Sequence, residues 1–191
     1  MSKLYFRYGT VGSAKTLNLL AVAYNYELQN KKVFLIKPAI DTRFGEKVIK
    51  SRAGFEKEAN LLISENKELD FSLFKDIDCI LVDEAQFLPS EIIDDLRRVT
   101  IELNIPVICY GLRTDFKTNF FSGSKRLMEI ADSIEEIKTT CFFCSKKAII
   151  NMKLVNGEPT LDGPQVELGC EEKYIPVCAK CAFERLGDQI G

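Results

Sequence analysis

Leu4-Tyr5-Phe6-Arg7-Tyr8-Gly9-Thr10-Val11-Gly12-Ser13-Ala14-Lys15-Thr16 is the stretch that decides the fold. Its first five residues form an apolar and aromatic run that reads as a strand ending at Gly9. A turn of small residues follows. Apolar side chains then recur at helical spacing, at Leu17, Leu20, Ala21, Tyr24 and Leu28. A strand, a small-residue turn and a helix surround an anion with backbone N–H groups and a helix N-terminus. Gly9 to Thr16 is therefore a phosphate-loop-like turn. Lys15 would reach the β- and γ-phosphates of a nucleotide, and the Thr16 hydroxyl would coordinate Mg²⁺. The usual pattern is GxxxxGK[ST], and Ala14 stands at its second glycine. Ala14 is expected in ordinary right-handed geometry, because it opens a strongly periodic helix in which a methyl costs little.

Outward from this unit, Val33-Phe34-Leu35-Ile36 is a second apolar run, stopped by Pro38. A β-loop-α-β unit favours a parallel sheet with a right-handed crossover. Residues 41–58 are polar and contain Gly45 and Gly54, and they read as a mobile surface segment. Residues 79–82 form a buried strand ending in Asp83-Glu84. Pro89 then opens a helix with Ile92, Leu96, Val99 and Leu103 on one face. Residues 106–110 are a further strand, ending at Gly111. A loop over 112–123, a helix near 124–131 and a strand near 134–138 complete the sheet. The expected fold class is α/β, a RecA-like parallel sheet with helices over residues 1–138, followed by a small zinc-ribbon β domain over 139–191.

An acid at the end of an apolar strand, aimed at the same sheet edge as the loop, is placed to organise Mg²⁺, which is the role read for Asp83. Glu84 departs in a different direction. It can act as base toward whatever attacks the γ-phosphate, either a substrate hydroxyl in a kinase or water in an ATPase. A nucleotide-binding module without catalysis is a third reading, suggested only by Ala14. Asp83-Glu84-Ala85-Gln86 also spells a helicase box. A helicase motor needs a second lobe and a basic track, and a chain of 191 residues with net charge −2 supplies neither. Phe87, Phe116, Phe120 and Phe121 lie near strand ends or in the following loop, where aromatics can sandwich a planar ring.

The last quarter of the chain changes character. Cys141, Cys144, Cys178 and Cys181 form two CxxC pairs, the thiolate set of a closed tetrahedral structural zinc. Between them lie a strand-like stretch over 147–154, an Asn156-Gly157 turn, a polar loop and a short strand over 165–168. A short helix follows the last pair. The chain has 7 cysteines and no histidine, so metal ligation plus free thiols is expected, with no imidazole base or ligand. Cys79 and Cys109 read as small buried hydrophobes. A near-neutral charge without a basic block disfavours nucleic acid as a partner. No apolar run approaches the roughly 18 residues of a membrane span and no signal peptide is evident, so the expectation is a cytoplasmic protein without membrane association.

These motifs together resemble the zinc-containing type II, or cytosolic, thymidine kinases across residues 3–183. The matching stretches are LYFRYGTVGSAKT, DTRF at 41–44, LVDEAQFL at 81–88, CYGLRTDF at 109–116, CFFC at 141–144 and EEKYIPVCAKC at 171–181. The resemblance implies transfer of the ATP γ-phosphate to the 5′-hydroxyl of thymidine, and of deoxyuridine, in pyrimidine deoxynucleoside salvage for DNA synthesis. It implies that Gly9, Thr10, Val11, Gly12, Ser13, Ala14, Lys15 and Thr16 bind ATP phosphates, with Thr16 and Asp83 toward Mg²⁺. Asp41 and Arg43 would lie on the phosphate-acceptor side, and Glu84 would be the base on the nucleoside hydroxyl. Phe87, Leu112, Phe116 and Phe121 would wall the base pocket. A lid over 156–173 would close on the pyrimidine through Gln165, Val166, Glu167 and Leu168, with Tyr174 on the sugar and base. A homotetramer inhibited by thymidine triphosphate is implied as well. Two positions depart from the family: Ala14, and Cys170 where a second glycine is usual.

Overall fold

The computed structural model describes residues 1–64, 68–166, 174–187 and 190. Its main sheet is built from six parallel strands. In chain order they are β1 (Leu4–Tyr8), β2 (Val33–Pro38), β5 (Leu61–Ile63), β6 (Cys79–Val82), β7 (Val107–Gly111) and β8 (Ser133–Glu136), and in space they run β5-β2-β6-β7-β1-β8. Every residue of β6 and β7 is buried. That is the continuous apolar run expected of central parallel strands covered on both faces.

Period-two alternation sorts the strand residues between two cores. Phe6, Ile80, Val82 and Cys109 face α2 (Ser90–Glu102) and α3 (Ser122–Ile130). Leu35, Leu81, Ile108 and Tyr110 face α1 (Lys15–Leu28). On α1 the buried residues are Lys15, Leu19, Leu20 and Ala23. Of the expected stripe through Leu17, Leu20, Ala21, Tyr24 and Leu28, Leu20 is buried as expected, but the stripe as a whole is out of phase, and Tyr24 and Leu28 are 57% and 64% exposed. The helix is apolar on two sides. Its phase is set by Lys15 and Leu19, one turn apart, as the chain leaves the Gly9–Thr16 turn.

The segment over 41–58 is more ordered than a loose surface stretch. It holds an antiparallel hairpin of β3 (Val48–Lys50) and β4 (Glu56–Glu58), and Asp41 and Ser51 in it are buried. A second, three-stranded sheet pairs β9 (Ile150–Val155) antiparallel with both β10 (Glu158–Thr160) and β11 (Tyr174–Val177). The short strand expected over 165–168 begins outside regular structure among the described residues. Gln165 and Val166 lie in irregular chain, Glu167 and Leu168 fall outside the described residues, and β11 takes the place beside β9. α4 (Ala179–Leu186) starts inside the second CxxC pair.

Candidate active site

Parallel strands deliver their carboxyl ends to one edge. β1 ends at the Gly9–Thr16 turn, β2 leads to Asp41 and Arg43, β6 to Asp83 and Glu84, and β7 to Leu112. β7 lies between β1 and β6, so its end must be narrow. A Cβ on Gly111 would sit 2.6 Å from Gln86 Oε1. A Cβ on Gly9 would sit 2.3 Å from Ser13 Oγ, which is why the turn closes only on glycine there.

Within the turn, the Lys15 ammonium donates to the Thr10 carbonyl at 2.8 Å and to Ser13 Oγ at 3.4 Å. Burial pulls Lys15 down to about 8, against the pull of Glu84 and Asp83. Thr16 Oγ1 donates to the Asp83 carboxylate at 3.1 and 3.3 Å. Burial, then the neighbouring Glu84, push the Asp83 carboxyl up from its ordinary range. Glu84 behaves oppositely. Burial raises it, but Arg43 and Lys15 outweigh burial and hold it low, so the carboxylate stays ionised. Arg43 Nη2 donates to Glu84 Oε1 and Gln86 Nε2 to Glu84 Oε2, both at 2.5 Å. Glu84 itself sits in the left-handed region, φ 49°, ψ 38°. That geometry costs a non-glycine residue roughly 1–2 kcal/mol, and such strain gathers at functional positions.

Ala14 is left-handed too, at φ 62°, ψ 28°, contrary to the right-handed expectation. The turn reverses there to bring its N–H groups round before α1 begins, so the geometry is set by the loop and not by the helix. The glycine pattern carries this requirement, and the alanine bears strain of about 1–2 kcal/mol. Ala14→Gly is therefore expected to raise the melting temperature by about 1–4 °C, after the extra unfolded-state freedom of glycine is subtracted. Its effect on ATP affinity should stay under about tenfold, because the strain is carried by the free and the bound protein alike and only its change on binding, under about 1.4 kcal/mol, alters affinity. A melting curve and an ATP titration check both. A lower melting temperature would show that the methyl is tolerated without strain.

A cavity of about 340 Å³ opens beside these groups, lined by Lys15, Thr16, Asp41, Arg43, Glu84 and the side chains that follow β7. The size is in the ordinary range for small-molecule sites. Phe87 and Phe121 meet edge to face, 5.5 Å between centroids, on one wall, and Phe116 and Tyr174 lie 6.1 Å apart on another. The second sheet closes the far side. Asn151 on β9 accepts from the Val11 N–H at 2.8 Å and donates to the Thr114 carbonyl at 3.0 Å. Gln165 donates to Asp115 at 2.9 Å.

The sulfurs of Cys141, Cys144, Cys178 and Cys181 lie within 4.8 Å of one another. Zinc–sulfur bonds of about 2.3 Å give a tetrahedron with edges of about 3.8 Å. Cys144 is 3.7 Å from both Cys178 and Cys181. Backbone N–H groups of Phe143 and Cys181 point at Cys141 and Cys178 sulfurs, at 3.4 and 3.5 Å. The four cysteines are positioned to bind one metal ion and fit a structural zinc.

A thymidine kinase family model matches residues 2–182. The chain belongs to the thymidine kinase family. Among curated relatives, thymidine kinases of Streptococcus pyogenes serotype M3 and Lactococcus lactis are each 45% identical, over 96% of this chain and 98% of theirs. One from Streptococcus agalactiae is 44% identical over the same shares. A solved Pif1 helicase from Candida albicans superposes with a TM-score of 0.43 and 10% identity, over 71% of this chain and 36% of that one, too distant to carry any inference.

The kinase-like site thus draws together nearly every residue singled out in the sequence. Val11, Gly12, Ala14, Lys15, Thr16, Asp41, Arg43, Glu84, Phe87, Leu112, Phe116, Phe121, Gln165, Val166 and Tyr174 all line the one cavity. Gly9, Thr10, Ser13 and Asp83 do not line it, nor does Phe120, which is 48% exposed. Glu167, Leu168 and Cys170 lie outside the described residues. Nine further residues line the cavity that the sequence reading did not single out for it: Leu17, Phe44, Lys50, Ser51, Arg52, Ala53, Gln86, Asp115 and Asn151. Gln86 was visible as part of DEAQ, but nothing local marked Asn151. No helix among the described residues is long and apolar enough to cross a membrane.

Proposed function

We propose that this chain transfers the γ-phosphoryl group of ATP to the 5′-hydroxyl of thymidine, and of deoxyuridine, in pyrimidine deoxynucleoside salvage. One observation carries the reading: Glu84, paired with Arg43, lines a cavity beside Lys15 and Thr16 and facing an aromatic wall. In the reaction the hydroxyl proton passes to Glu84 and the 5′-oxygen bonds to the γ-phosphorus. The bond to the β–γ bridging oxygen breaks, and ADP leaves. Lys15 and the backbone of Gly9–Thr16 hold the phosphates, and Thr16 and Asp83 would hold Mg²⁺. That ion neutralises phosphate charge when bound. Phe87, Leu112, Phe116, Phe121 and Tyr174 enclose the pyrimidine, and the lid that the family implies over 156–173, of which 167–173 lie outside the described residues, would close over it. Water exclusion lets a few polar contacts discriminate among bases.

Residues 1–138 form the nucleotide-binding unit and 139–191 the zinc and lid unit. The family also implies a cytoplasmic homotetramer inhibited by thymidine triphosphate, and the exposed Tyr24 and Leu28 on α1 are a surface such an assembly would cover. A panel of nucleosides with ATP and Mg²⁺, scored for monophosphate, tests the reading. Thymidine is expected as the preferred acceptor. Equal ATP hydrolysis without nucleoside would instead make Glu84 an activator of water. The same assay with added thymidine triphosphate, on protein sized by light scattering, tests the inhibitor and the tetramer.

A further inference from the structure

Lys37, near the end of β2, is 1% exposed, deeper than any other lysine among the described residues, yet it does not line the cavity. Its ammonium donates to the Val48 carbonyl at 3.0 Å and pairs with Asp41 Oδ2 at 3.2 Å. The other Asp41 oxygen accepts from Arg43 Nε at 2.6 Å, and Arg43 Nη2 reaches Glu84 at 2.5 Å. Four alternating charges therefore run from the core to the cavity. As a source of stability, a buried ion pair is no better than apolar packing of the same size. As a ruler it is effective. Lys37 sits against one oxygen of Asp41 and the guanidinium takes the other, so the lysine competes for the oxygen that a second guanidinium bond would need. Without Lys37, both oxygens could take Arg43 in a two-pronged grip, drawing it away from Glu84.

We propose that Lys37 is a positioning residue for phosphoryl transfer: through Asp41 it sets the place of the Arg43 guanidinium and, with it, of the Glu84 carboxylate. The proposal rests on Glu84 as the proton acceptor. Lys37→Met keeps the length of the side chain and removes the charge. Turnover is expected to fall about 10–100-fold, the scale of a small misplacement at a reacting centre, with thymidine and ATP dissociation constants and zinc content within about threefold of the parent. In an Asp41→Asn background the two-pronged grip is gone, so Lys37→Met/Asp41→Asn should turn over no more slowly than Asp41→Asn alone. A merely structural lysine would lower the melting temperature, leave turnover of the folded protein unchanged, and add independently to Asp41→Asn. Parent-like turnover in Lys37→Met, or a defect that persists undiminished beside Asp41→Asn, overturns the proposal. Should Lys37→Met fail to fold, the charge-balanced pair compared with Asp41→Asn decides alone. Glu84→Gln separates the two levels. If it is inactive while Lys37→Met is normal, only the role of Lys37 falls; if it is active, the proton-acceptor reading falls and takes this proposal with it.

Discussion

Glu84→Gln is expected to lower turnover by about 10²–10⁴-fold, the scale of losing a general base, while thymidine and ATP still bind. The side chain keeps its shape, so the buried geometry around it survives. Gln86 still has an amide oxygen to donate to, and Arg43 keeps Asp41 as a partner at 2.6 Å. What disappears is the proposed acceptor for the nucleoside proton. Glu84 is suited to that task because Arg43 and Lys15 keep it ionised despite burial. Turnover from steady-state assays and dissociation constants from calorimetry check the split. A variant within a few-fold of the parent in turnover would mean that the proton leaves by another route.

Removing the metal has the second large effect. One equivalent of zinc per chain is expected, and its binding in small domains is worth about 10–16 kcal/mol. The second sheet has little else to hold it. Besides the cysteines, its buried core is Ile150, Met152, Val177 and Ala182, and so small a core cannot stand without a staple. Stripping the ion, or replacing Cys178 by serine, should therefore melt β9–β11. Thymidine affinity should then fall by at least tenfold, because Tyr174 and Asn151 leave the cavity, while the six-stranded sheet, with its own two cores, keeps its helical and strand signal. Elemental analysis, circular dichroism and a thymidine titration on the metal-free protein check this. Full nucleoside affinity without metal would contradict it.

The central strands were legible because a strand covered on both faces must be apolar throughout, as Cys79–Val82 is. The edge strand β5 has three residues, Leu61–Ile63, too short for any period to show. The strand β4 reads Glu-Lys-Glu and is polar because it lies outside the main sheet. The site residues that motifs carry, such as Lys15, Asp83 and Glu84, are local in sequence. Asn151 is not. Its bond to Val11 spans 140 residues and depends on how the two sheets meet. Ala14 shows the opposite failure: helix propensity, a local rule, was followed where loop closure decides the backbone. The phase of α1 was lost for a third reason, since a helix apolar on two sides has no unique buried stripe.

The wedging of β7 between β1 and β6 has a consequence for how such a protein can change over time. Strands in a sheet are spaced by about 4.8 Å. The strand that ends in the phosphate-loop-like turn and the strand that ends in Asp83-Glu84 are therefore held apart by two backbone spacings, about 10 Å. No side-chain exchange alters that interval without breaking the sheet. The walls proposed to meet the nucleoside hang instead on Phe87 after β6, on the segment after β7 and on the second sheet. Acceptor preference can drift there, loop by loop, under a chemistry whose dimensions are locked.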